Sequence, residues 1–139
     1  MISGAAIRVV VRITYVLLLT FPECSIALSV PTSTEVSKRI DACIASGSTI
    51  QQKNCLGSLR VELDGILNAE YARVKGDLSS SPRQLSLLKT AEHKWIQYRD
   101  AHCAFDASGE LGGSLGSVEI ITCSAELTGD RARYLETKK

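Results

Sequence analysis

From about Ile50 to Lys75 apolar residues recur at helical spacing, and this single run limits the fold more than any other feature of the chain. Cys55, Leu56, Leu59, Leu63, Ile66, Leu67, Tyr71 and Val74 sit three or four positions apart, so one long helix collects them on one face. Gly57 and Gly65 weaken that helix without ending it. Strand-like alternation is missing throughout the sequence, and the 139 residues suit one domain. An all-α bundle is the expected class.

The flanking segments supply three further helices. Ser33 is placed to cap a short one that carries Val36, Ile40, Cys43 and Ile44 on one face and ends at Gly47. Polar residues at Gly76-Asp77 and Ser79 to Ser81 break the chain. Ser81-Pro82-Arg83-Gln84 then combines a capping box with proline at the first helical position. The third helix is expected from Pro82 to about Phe105. Leu88, Ala91, Trp95, Arg99 and His102 form one stripe on it, with Tyr98 alongside, and Glu92, Ile96, Asp100 and Cys103 form a second. Four glycines between Ser108 and Gly116 predict a long loop. A last helix from about Ser117 should align Ile120, Cys123, Leu127, Asp130 and Tyr134, with Arg131 beside them.

Residues 1–27 read as a cleavable signal peptide. Arg8 and Arg12 precede an apolar run from Ile13 to Phe21, Pro22 breaks it, and Ser25-Ile26-Ala27 offers small residues for cleavage after Ala27. That run is about half of what a membrane span needs, so no stable anchor is expected after cleavage. Lipid attachment at Cys24 is disfavoured by Glu23 beside it. The remaining domain, residues 28–139, is expected in the periplasm or secreted. Its 14 basic and 14 acidic residues, what is left of 16 and 15 once Arg8, Arg12 and Glu23 are removed, give no field for nucleic acid.

Four cysteines stay behind: Cys43, Cys55, Cys103 and Cys123. An even number in an exported chain predicts two disulfides, and Cys43–Cys55 with Cys103–Cys123 brackets one helix connection each. Zinc is the rival use, but no C-x-x-C pair is present.

The string Trp95-Ile96-Gln97-Tyr98-Arg99-Asp100-Ala101-His102-Cys103, with Gly113-Ser114, Cys123, Leu127-Thr128 and Arg131 after it and Cys55 and Asn68-x-x-Tyr71 before it, resembles the lysozyme inhibitor LprI-like family. The resemblance implies a small, exported, all-helical bacterial protein, and the family takes its name from lysozyme inhibition by a lipid-anchored relative. A lysozyme is then the expected partner, met by the segment from Asp106 to Ser117, with Asp106, Glu110, Leu111, Ser114 and Leu115 as contact candidates. An envelope or secreted helical binding module for another ligand is the alternative.

Catalytic patterns are missing from the sequence: there is no nucleophile elbow, no H-E-x-x-H and no phosphate-cradling glycine loop between strand and helix. No enzyme activity, cofactor or metal is expected. Trp95, Tyr98, Arg99, Asp100 and Arg131 are read as structural. Arg99 and Asp100 lie about 100° apart on the helix, so each is expected to bridge elsewhere. Counting back from a Cys103–Cys123 bridge puts Arg131 level with Trp95, which predicts a guanidinium over the indole or paired with Asp100.

Overall fold

A computed structural model describes residues 29–110 and 113–138. The signal-peptide reading of residues 1–27 lies outside them. Four helices follow in order: α1 (Ser33–Ile44), α2 (Thr49–Asp77), α3 (Pro82–Asp106) and α4 (Ser114–Glu136), with a 3-10 turn at Ala107–Glu110. Two disulfides, Cys43–Cys55 and Cys103–Cys123, join α1 to α2 and α3 to α4. The all-α expectation and the pairing both hold.

Capping departs from the sequence reading at two helices. Thr32, not Ser33, caps α1, in a reciprocal box with Glu35 whose carboxylate takes the Thr32 amide at 2.7 Å. Those bonds, backbone first, hold the Glu35 carboxyl below its usual range. Ser48 and Gln51 make a second box at α2 that the sequence reading passed over. At α3, by contrast, Ser81 makes no side-chain cap bond, and the box with Gln84 does not form. Proline at the first position does the starting there, its fixed φ already helical. Gly47, between α1 and α2, has φ of +117°, a conformation that favours glycine over any residue with a Cβ.

α2 and α4 form the central pair, with Leu63 at the level of Gly129 and Arg73 at the level of Leu135, so they run parallel. α1 and α3 each run antiparallel to that pair, tied by Arg39–Glu62 on one side and Arg131–Glu92 on the other. Leu56, Leu59, Leu63, Ile66, Leu67 and Val74 from α2 are all buried, against Val36 and Ile40 of α1 and Val118, Ala125, Ala132 and Leu135 of α4. Arg73 closes the far end, donating to the carbonyls of Leu135 at 2.9 Å and Lys138 at 3.0 Å and so satisfying acceptors the α4 terminus leaves open.

The buried face of α4 is not the one its bulky residues suggest. Ile120 and Tyr134 are exposed, and Val118, Ala125, Thr128, Ala132 and Leu135 face inward instead. Close approach to α1 and α2 is the reason: a Cβ at Gly129 would stand 3.3 Å from Val36 Cγ2 of α1 and 3.8 Å from Leu63 Cδ2 of α2, space only a small side chain leaves. α4 also starts three residues before Ser117, at Ser114, and the 3-10 turn takes up Ala107–Glu110. Six of the nine residues expected as loop, 108–110 and 114–116, are therefore in the 3-10 turn or in α4. Glycine at positions 113 and 116 does not prevent helix there, because Gly113 serves as N-cap and Gly116 is buried.

Candidate functional site

α3 is the least buried of the helices. Cys103 is its one fully buried residue among those described, and Leu87, Ile96, Tyr98 and Phe105 are exposed. What holds it is a polar cluster on the face toward α4 and α2. Arg131 of α4 donates from Nε at 3.0 Å and Nη2 at 2.9 Å to Oε2 of Glu92, with both side chains nearly buried. Its guanidinium carbon lies 5.6 Å from the Trp95 ring centroid and 5.0 Å from that of Tyr134. Arg99 also stands near Trp95, at 5.2 Å from its ring centroid, and reaches Thr128 Oγ1 at 3.2 Å and Asp64 at 3.4 Å.

Trp95 is thus half-buried with two arginines against its ring. The expected stacking of Arg131 on Trp95 is present, but its anionic partner is Glu92, and Asp100 is mostly exposed. Arg99 and Asp100 do pair, at 2.9 Å, against the expectation from their angular separation. Guanidinium length explains it: the Arg99 head reaches back to its neighbour while still spanning to α2 and α4. Tyr98 lies outside this cluster, its ring stacked on His102 at 5.3 Å.

The contact candidates collect at the end of α3 and the start of α4, next to the Cys103–Cys123 bridge. Asp106 is exposed and takes His102 Nε2 at 3.2 Å. Leu115 is 58% exposed on the first turn of α4. Glu110 ends the 3-10 turn and Ser114 begins α4, while Leu111 falls outside the described residues. Phe105, 74% exposed, belongs to the same tip and was not singled out from the sequence. Its signal was there, since it falls off both stripes of the third helix. His102, Asp106 and Cys123 come together closely enough to suggest a metal, but the Cys123 sulfur is spent in the disulfide.

Chemically, the tip offers an aromatic and an aliphatic side chain beside carboxylates on a cross-linked pair of helices, an arrangement for binding. Among the described residues no helix is long and apolar enough to cross a membrane. Residues 41–135 match the family model described as Lysozyme inhibitor LprI. No curated protein and no solved structure matches the chain.

Proposed function

We propose, from the fact that this chain belongs to the LprI lysozyme inhibitor family, that it is an exported protein which binds a lysozyme stoichiometrically and protects peptidoglycan from it. The family match carries the reading. The tip of α3 and α4 is the contact surface: Phe105 and Leu115 supply the apolar anchors, and Asp106 and Glu119 supply an acidic rim. Two catalytic carboxylates line a lysozyme cleft and would repel that rim, so the tip suits basic surface beside the cleft. The disulfide at its base keeps the anchors in place and limits the ordering lost on binding.

A turbidity assay of cell-wall lysis tests this with animal, invertebrate and phage lysozymes. The intact protein should inhibit at least one of them at a stoichiometric ratio, and the double variant F105A/D106K should lose inhibition with an unchanged melting temperature. Full inhibition by that variant would move the surface elsewhere. No inhibition of any class by the intact protein would favour an envelope binding module for another ligand.

A further inference from the structure

α3 packs on α4 but stands away from α2, and the gap between α2 and α3 is a cleft of about 440 Å³, within the size range of small-molecule sites. Asp64, Asn68 and Tyr71 line it from α2; Lys89, Ile96 and Arg99 line it from α3. The Asn68 amide, the Tyr71 hydroxyl and the Lys89 ammonium make no side-chain hydrogen bond or ion pair among the described residues. Asn68 and Lys89 are exposed and Tyr71 is half-buried, and all three line the cleft, so their polar atoms are free to meet a ligand there.

The carboxylates of the cleft are held in position and still have capacity. Asp64 accepts from Arg60 at 2.9 Å and Arg99 at 3.4 Å. Both Arg131 bonds go to Oε2 of Glu92, which also lines the cleft, so Oε1 is left over among the described residues. Lys89 and Arg99 of the lining match Asp64 and Glu92, and Arg60 and Arg131 behind those carboxylates leave a small cationic excess, too weak a field for a polyanion and of the wrong sign for a polycation. Leu67, Ile96 and the Tyr71 ring provide apolar surface between the polar groups. An uncharged ligand with ring C–H faces and many hydroxyls meets both kinds of surface.

We propose that the cleft between α2 and α3 binds a short neutral saccharide, with its ring faces on Tyr71 and Ile96 and its hydroxyls on Asn68, Lys89, Glu92 and Asp64. This site stands apart from the lysozyme reading: the tip at Asp106 lies about 20 Å further along α3 than Glu92. Trp95 reports on it, because Arg99 lines the cleft and also covers the indole at 5.2 Å.

The test is a titration of the purified protein, without lysozyme, against tri-N-acetylchitotriose and separately maltotriose, up to about 10 mM so that even a millimolar Kd is reached. Trp95 fluorescence should change saturably with at least one of them. Amide shifts in a nitrogen-15 spectrum should concentrate at residues 64–71 and 89–99, and whichever sugar saturates identifies the glycan type. The variant N68A/Y71F, which removes one exposed amide and one hydroxyl while leaving the ring, should weaken Kd at least about tenfold with an unchanged circular dichroism spectrum. No saturable change with either sugar, shifts centred elsewhere, or an unaltered Kd in N68A/Y71F would overturn the proposal. If that variant misfolds, K89A on the exposed face of α3 reads the same loss.

Discussion

Replacing Arg131 by alanine tests how α3 is held to the rest of the bundle. The change removes two hydrogen bonds to Glu92 and leaves that carboxylate without its cation, although its side chain is only 12% exposed. Breaking one partner out of a buried pair costs about 3–5 kcal/mol, and a cation over Trp95 and Tyr134 adds about 0.5–1 kcal/mol. The pair sits at a groove that water can enter once the arginine is gone, so the lower end applies: about 3 kcal/mol. In a chain of this size that corresponds to a melting temperature about 10 °C lower. Thermal unfolding followed by circular dichroism measures it, and the E92Q and R131A/E92Q variants complete a double-mutant cycle. The double variant should recover part of the loss, because the stranded charge is no longer there. A melting temperature within about 2 °C of the original, or strictly additive single effects, would refute the account of α3 as anchored by this pair.

Removing the α3 to α4 disulfide as C103S/C123S opens a 20-residue loop and should cost about 3 kcal/mol on chain-entropy grounds, with hydrogen exchange rising in α3 before α2. Gly129→Leu should destabilise by about 1–3 kcal/mol, because the added side chain meets Val36 and Leu63 directly; a neutral effect on the melt would show that α4 can move away from α1 and α2 freely. Glu126 has its carboxyl pKa raised, by burial first and then by Asp130, Glu119 and Asp41. A raised acid pKa means that ionisation disfavours the folded state, so E126Q should melt higher than the natural protein near neutral pH. That gain should shrink as pH falls through the raised pKa and vanish below the unfolded value of about 4.3; a gain that persists at lower pH would contradict the electrostatic cause.

Much of the fold was legible because α2 obeys the simple rule that large apolar residues at helical spacing are buried, and its inward face matches the sequence reading nearly residue for residue. α4 breaks that rule. Its inward face is Ala125, Thr128, Gly129 and Ala132, chosen for small size at a close helix crossing, and a scale that counts apolar bulk selects Ile120 and Tyr134 instead. Small residues three and four apart carry the signal, but only a known neighbour gives it meaning. Glycine misled in the same way at Ser108 to Gly116, where it was read as backbone freedom although part of that stretch is helix. Among the polar residues, sequence spacing found Arg131 against Trp95 but not Glu92, because register within a helix pair is fixed only to about a turn by the bridge. The cleft between α2 and α3 was out of reach, since it exists through a failure of two helices to pack and no local pattern records that.

That failure connects the stability of the chain to its surfaces. A helix with one fully buried residue gains little from apolar burial, so α3 depends on the Cys103–Cys123 bridge and on the two arginines around Trp95. Polar anchoring of this kind is directional: it holds α3 against α4 and reaches α2 through Arg99 and Asp64, leaving the groove beside that pair open, whereas an apolar stripe would draw the helix inward and close the cleft. Trp95, Arg99 and Arg131 position the helix that carries Phe105 at one end and lines the cleft at its middle. Their loss should therefore disturb both surfaces together, whereas F105A/D106K and N68A/Y71F should each disturb one.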